Sequence, residues 1–600
     1  MRTRGINRPA VRRPGYVLVM VLIVIVIVSL AAYKFTDLMT AKSREAVRMN
    51  DAAQARLAAI SGVHYAAAAL GDPNTLSNIG GNPFIANTFT PQMVRQGDSP
   101  RSQAWFSLVS VAEVSQGVYQ QQYGSVEDEA GKININALII LDPTGTVLFN
   151  ALMMLPNMTQ PIAAAIVDWV DADDIQFQAP SGATGFETTD YQGLGSPYQA
   201  KNGPLNSLDE LLLVNGVTPT LLYGNDRNRN GLQDDDPTGG STLDRGWAPY
   251  LTVYGRELNL DSTNTPRTNV NDTADMPTLY QNLITAVGQS LADYIMAYKM
   301  FNVSLVPTTS TSSSSNSSGS TTSSSTSSTS STSNTSNAAA LTAAVQTALG
   351  ATSPTAVRSF VTVLDMLNTQ VLIPGTPATA GMAATPAVVV PCPLNDPTQI
   401  AQLLPVLLDK ATATTAVELP PRLNINTAPY EVLMALVNTN PISSGGSSSS
   451  TAASAAASSS SSSSTAASAV ASATSSSSTA STTMLADGSA AASGILSETD
   501  VENIIAARDA LSPSDPGTQS GAWLLTTGTI TSTQFQLLQP FITGRTMVYR
   551  VQSIGYFAQG TTTARVEAVV DANQGSPRIL YFRDLTALDN PRGFPQPPSQ

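Results

Sequence analysis

The sequence predicts an α+β protein: a long N-terminal helix, a small antiparallel sheet built from both ends of the chain, and a large helical unit inserted between them. Three observations lead there. An uncharged apolar run from Tyr16 to Ala32 passes without a break into a helical segment that ends only at Gly71. Strand-like alternation occurs near Ala104 to Glu129 and again near Thr546 to Asp584, far apart in the chain. Between them lie short segments with helix caps, interrupted by long Ser-rich tracts.

The first element is the helix. Tyr16 to Ala32 is 17 residues long, which at about 1.5 Å per residue just spans a thin hydrocarbon core. A secretory signal peptide ends in a small-residue cleavage site followed by unrelated mature sequence. Here Ala31 and Ala32 lead directly into a segment with Phe35, Leu38, Met39, Leu57, Ile60 and Val63 among alanines and charges, with no Pro or Gly before Gly62. The apolar run therefore reads as the first third of one long helix. Arg2, Arg4, Arg8, Arg12 and Arg13 precede it, which keeps the N-terminal tail cytoplasmic and exports the rest, a single-pass inner-membrane arrangement with a periplasmic bulk. Gly15 stands between the basic tail and the apolar run, and this arrangement resembles the class III leader of type IV pilins and pseudopilins. The resemblance implies a cut between Gly15 and Tyr16 by a prepilin peptidase, with the apolar helix retained. Counting from Tyr16, the fifth residue is Met20, where most of those families have Glu.

Composition narrows the function. Charged residues make up 12% of the chain and the net charge is −13, so phosphate backbones are repelled and nucleic acid is a poor partner. The single His and single Cys leave no Ser/His/Asp or Cys/His set except through His64, which sits on the Ala-rich helix, so no enzyme is expected. A His/Cys zinc site is not available. The Ser/Thr tract Pro307 to Asn337 and the Ser/Ala tract from Ser443 have too few apolar groups to offset their ordering entropy. The Pro/Ala piece from Pro374, which includes Cys392, reads as a further linker.

The strands follow. Ala104–Val114 and Gly117–Glu129 pair through a Ser-Gln-Gly turn, and Thr546–Phe557, Thr562–Asp571 and Pro577–Asp584 form a meander. In its middle strand Ala564, Val566, Ala568 and Val570 share one face. Two or three strands need a covering face, so both groups are expected in one sheet packed on the exported half of the helix. The insertion carries helix signals at Ser207/Glu210, at Thr427 before Pro429, at Ser497/Asp500 and at Thr531/Gln534. Short capped helices in pairs are helix-hairpin-helix-like units. An echo, "GKININ", "PRTNVN" and "PRLNINTAP", repeats two Asn at i and i+2 and reads as turn and cap chemistry. The resulting map has a leader over 1–15, the helix over 16–70, sheet parts over 100–150 and 545–586, and inserted helical parts over 151–306, 338–442 and 494–544. Linkers fall at 307–337 and 443–493.

"VEDEAGKININ", then "IVDWVDADD", then "GSPYQAKNGPLNSLDELLLVNGVTPTLL", with a later "NINTAP", closely resembles the type II secretion minor pseudopilin family known as general secretion pathway protein K. The resemblance covers both ends and most of the interior, the Ser-rich inserts excepted. It implies a pseudopilin sheet split by an inserted helical domain, and a fifth mature residue other than Glu, which Met20 fits. In the assembly it implies, that Glu pairs with the N-terminal amine of the subunit above. A chain lacking it, with a bulky insertion, belongs at the pseudopilus tip and aids protein export across the outer membrane. The implied partners are other minor pseudopilins, the major pseudopilin, the prepilin peptidase and the inner-membrane secretion platform. The alternative is a membrane-anchored helix-hairpin-helix DNA-binding protein of a competence or type IV pilus system, since "NINTAPYEVL" also resembles DNA-uptake receptors. There the Gly-rich turn that would hold phosphate is replaced by "NTNPISSGGSSSS", and basic residues are sparse.

One stretch points to calcium. "NDRNRNGLQDDDP" places Asp226, Asn228 and Asn230 at alternate positions, then Gly231 for the sharp turn, Leu232 to offer its carbonyl, and Asp234. Pro237 stands where an EF-hand has its bidentate Glu, so Asp235 or Asp236 has to close the shell instead. A solvated Asn/Asp/Gly turn is the competing reading. Asp171, Asp173 and Asp174 with Glu187 and Asp190 form a second, weaker acidic group, and the family resemblance implies calcium in this inserted region. Dissociation constants of about 10⁻⁴ to 10⁻³ M are expected, hence a structural role.

Overall fold

The computed structural model describes residues 16–79, 81–99, 102–115, 118–231, 243–306, 332–350, 358–375, 386–437, 495–508, 510–512, 515–559, 562–573 and 576–588. Helix α1 runs unbroken over Tyr16–Leu70, about 80 Å at 1.5 Å per residue. Its side chains are exposed through Asn50 and beyond only one stripe is buried: Ala55, Ala58, Ala59, Gly62, Val63, Ala66, Ala67, Ala69 and Leu70. These positions recur every three or four residues, as one helix face must. Gly15 lies outside the described residues, and Tyr16 is the first residue of α1.

That stripe seats on a seven-stranded antiparallel sheet. We label its strands β1 (Gln92–Arg95), β2 (Ala104–Ser115), β3 (Val118–Tyr123), β4 (Glu127–Asp128), β5 (Val548–Phe557), β6 (Thr563–Asp571) and β7 (Arg578–Asp584). The order is β1-β2-β5-β6-β7, with β3 on β2 and β4 on β5. N-terminal and C-terminal strands thus join in one sheet, meeting where β2 pairs with β5, with Ser553 opposite both Leu108 and Val566. The helix-facing side carries Phe106, Leu108, Val551, Val566, Ala568 and Val570, and Ala564 meets Ala55 and Ala58. The approach is close. A Cβ on Gly555 would strike the carbonyl oxygen of Ala55, and one on Gly62 would strike Ser553 and Phe106.

The second strand of the first hairpin is shorter than its sequence implies. It ends at Tyr123, because Gly124 takes a left-handed φ of 72°, and the chain returns to the sheet only at Glu127. The other side of the sheet is also buried: Arg565, Glu567, Val569 and Asp571 have almost no exposure. The inserted unit covers this side and has its own, larger core, with Trp169, Tyr191, Trp247, Tyr294 and Trp523 among its buried residues. Besides helices it holds a three-stranded antiparallel sheet of Asn302–Leu305, Thr369–Ile373 and Val388–Pro391. This corrects the reading of the whole stretch after Pro374 as linker. Val388–Pro391 pairs with Thr369–Ile373, and Cys392 is buried, its amide donating to the Thr369 carbonyl. Burial pushes its thiol up to about 12.

Caps divide similarly. Ser497 with Asp500 and Thr531 with Gln534 form reciprocal capping pairs. Ser207 makes no side-chain cap, and Leu208–Leu213 is a 3₁₀ helix whose Glu210 reaches the Asn206 amide instead. Thr427 gives its hydroxyl to Asp128, and Pro429 stands at the cap position of Tyr430–Met434. The three Asn-x-Asn echoes repeat in space. Ile133–Asn134, Thr268–Asn269 and Leu423–Asn424 each pair in parallel with another two-residue strand. Their Asn side chains close turns and caps, as with Asn134 on the Ala137 amide and Asn424 on the Asn426 amide.

Candidate metal centre

Helix α2 (Gln160–Val170) and helix α3 (Thr188–Gln192) bring the second acidic group together. Asp171 is the residue that ends α2, and Glu187 is the residue that starts α3. Asp171, Asp173 and Glu187 each present a carboxylate oxygen, and these oxygens lie within 4.8 Å of one another. Asp168, one turn back on α2, is fully buried beside them. It is absent from the acidic group that the sequence pattern brings together. The available signal was an Asp on the buried face, three residues before another Asp.

The remaining members support this trio. Asp190 caps α3 by accepting from the Glu187 amide at 3.0 Å, and it also accepts from Gln176 at 2.7 Å. Asp174 accepts from the Asn202 amide group at 2.8 Å, and Asn202 also donates to the Asp173 carbonyl. One face of the cluster lacks partners. Asp168 Oδ2, Asp171 Oδ1, Glu187 Oε1 and Asn202 Oδ1 are buried and accept no hydrogen bond. Among the described residues no Lys or Arg pairs with any of these carboxylates. A buried, unpaired carboxylate resists ionisation. Burial first, opposed by amide hydrogen bonds and then raised further by acidic neighbours, pushes Asp168 up to about 6. Burial and the repulsion of Asp168 and Asp173 push Asp171 up to about 7. Burial chiefly, with Asp168 and Asp171 adding, pushes Glu187 up to about 7. An all-oxygen set of this kind fits a hard divalent cation, and its irregular mixture of carboxylates and amide oxygens suits calcium better than octahedral magnesium. The cation would supply the positive charge and take the place of the donors that these four buried oxygens lack.

The first acidic loop is ordered differently. It follows helix α4 (Pro219–Tyr223), and Asp226, Asn228 and Asn230 are all buried. Asp226 accepts from the Asn230 amide at 2.8 Å and the Gly231 amide at 2.9 Å, and Asn228 accepts from Asn230 at 3.0 Å. Gly231 has a φ of 71°, which only Gly adopts freely. Leu232, Asp234, Asp235 and Asp236 lie outside the described residues. The loop is locked to the sheet. Arg565 of β6 donates to the Arg229 carbonyl at 2.7 Å and to the Asn228 carbonyl, and Gln121 of β3 donates to the Asn230 carbonyl. Arg229 in turn reaches Asp209 at 2.8 Å and Glu567 at 3.7 Å. Burial raises the Asp226 carboxyl, against the pull of Arg245.

Residues 131–223, which include the whole α2–α3 cluster, match the family model described as type II secretion system (T2SS), protein K. This segment belongs to the protein K family. Asp226 lies just past the end of the matched protein K segment. No curated protein matches the chain. A solved chain from the GspK-GspI-GspJ complex of the enterotoxigenic Escherichia coli type 2 secretion system aligns with 91% of this chain and 98% of its own length. The identity is 9% and the TM-score 0.30, too low for the likeness to add to the assignment.

Proposed function

We propose that this chain is a minor pseudopilin at the tip of a type II secretion pseudopilus, a structural component that aids protein export across the outer membrane. The observation that carries the reading is the division of α1. Its first half, from Tyr16 through Met49, is exposed and apolar at its start, while its second half is locked into the sheet. A retained helix of this form serves first as an inner-membrane anchor and then as a strand of a filament's helical core, beside the long helices of other minor pseudopilins. The protein K match of residues 131–223 supports the same role. The inserted unit makes the exported part bulky, and Met20 leaves no carboxylate for a subunit above. Both features favour the end of a filament over its middle. Calcium in the α2–α3 cluster, and in the loop from Asp226, holds the inserted unit in shape and takes no part in chemistry.

The test is a chromosomal deletion complemented in trans. Secreted proteins should accumulate in the periplasm of the deletion strain and reach the medium again on complementation, with the chain present in few copies per secretion complex. Normal export without the chain would overturn the reading.

A further inference from the structure

The Asn-x-Asn echo carries a basic residue in front of each copy: Lys132, Arg267 and Arg422. Two of these, Arg267 and Arg422, line one cavity of about 210 Å³ inside the inserted unit, together with Arg545. At about 30 Å³ per water molecule, this space holds a small ion and several waters. The cavity shares no residue with the acidic centres described above.

The three guanidiniums are not equally satisfied. Arg422 forks onto Glu257, with Nε at 2.9 Å and Nη2 on the other oxygen, and adds the Gln539 carbonyl. Arg545 pairs with Asp409 and donates to the Leu260 carbonyl. Among the described residues the Arg267 guanidinium makes a single hydrogen bond, Nε to the main-chain carbonyl of Asp409 at 3.0 Å. Its two Nη groups have no carboxylate among the described residues. The neighbouring acids are already committed, Asp409 to Arg545 and to Ser262, and Asp261 to Lys410 at 2.7 Å. Burial, and then Arg422 beside it, push the Arg267 guanidinium down to about 10, while Glu257 and Asp261 nearby pull it back up, so it stays charged at neutral pH with no carboxylate in direct contact. Thr412 and Thr414 also line the cavity. Each hydroxyl accepts a backbone N–H, from Thr414 and Ala416, which leaves its own proton to donate.

We infer that this cavity binds a small oxyanion of the phosphate or sulfate class, held by the free fork of Arg267 with Arg422, Arg545 and the threonine hydroxyls around it. A planar guanidinium fork matches two oxygens of such an ion. The chain as a whole is acidic, and here two copies of the repeat and Arg545 gather three guanidiniums around one cavity.

The experiment titrates the detergent-solubilised full chain, in chelator, with sodium phosphate and separately with sodium sulfate, against sodium chloride at matched ionic strength. Isothermal titration calorimetry reads binding, and ³¹P line broadening checks it. Saturable binding of phosphate or sulfate, absent with chloride, is expected. Arg267→Gln should weaken it at least tenfold, while Arg95→Gln, on the exposed β1, should leave it unchanged. Arg267→Lys keeps the charge but loses the fork and should fall between. No saturable binding by the wild-type chain overturns the inference whether or not the variants fold. Equal binding by Arg267→Gln overturns it as well.

Discussion

Replacing Asp168 by Asn should have opposite effects with and without calcium. The Asp168 Oδ1 accepts from the Phe177 amide at 2.7 Å, and an Asn carbonyl keeps that bond. The Oδ2 has no donor and faces Asp171 and Glu187. Holding this carboxyl at about 6 instead of its ordinary 3.8 destabilises the fold by about 3 kcal/mol at pH 8, at roughly 1.4 kcal/mol per tenfold change in proton affinity. The amide removes that charge, so in chelator the variant should be more stable by up to about 3 kcal/mol. For a unit of this size that is about 5–10 °C in melting temperature. In calcium at about one hundred times the dissociation constant, the wild-type chain gains about 2.7 kcal/mol, and the variant, lacking one carboxylate, should gain far less. Differential scanning calorimetry of the full chain in detergent, with chelator and with 10 mM calcium, reads both. If Asp168→Asn lowers the melting temperature in chelator, or if calcium raises both proteins equally, the cluster is not a strained cation site.

The same carboxylates set a pH dependence. Their folded values of about 6 to 7 lie above the ordinary range, so the folded state binds more protons between about pH 4 and 7. In chelator, stability should therefore fall as pH rises through that window, and saturating calcium should remove most of the fall. Arg565→Met leaves the Asn228 and Arg229 carbonyls without their buried donor and should cost about 2–4 kcal/mol by urea unfolding. Gly555→Val drives a side chain into the Ala55 backbone and should cost about 3 kcal/mol, reported by new protease cleavage between α1 and the sheet. Deleting residues 443–493, whose Ser/Ala composition builds no core, should change the melting temperature by less than about 2 °C.

The long helix and the sheet were legible because their signals are periodic. The stripe from Ala55 to Leu70 repeats with the helical turn, and Ala564 to Val570 alternates with the strand. The sheet's second covered side was not legible. Arg565 and Glu567 alternate with that apolar face, and only the tertiary fold shows them buried, with Arg565 bonded to the loop at Asp226. The three-stranded sheet of the insertion was missed for a related reason. Val388–Pro391 is an apolar tetrapeptide in a Pro/Ala-rich stretch, and its partners lie at Thr369–Ile373 and Asn302–Leu305. Helix caps were half readable. Ser497 and Thr531 have no competing acceptor, whereas Thr427 is drawn to the buried Asp128. At the metal centre, the spacing of Asp171, Asp173 and Glu187 was on view, but nothing in the local pattern ties Asp168 or Asn202 to them. Their role depends on Asn202 reaching back to Asp173 and Asp174 across the chain.

On the proposed function, the apolar helix is neither a discarded signal nor an ordinary anchor, but the retained core helix of a pseudopilin. The intact mass of the chain extracted from the membrane tests this most directly. A mature N-terminus at Tyr16, with Met1 to Gly15 removed and α1 complete, is the predicted result. A chain that still begins at Met1, or one cut after Ala32 at the end of the apolar run, contradicts it.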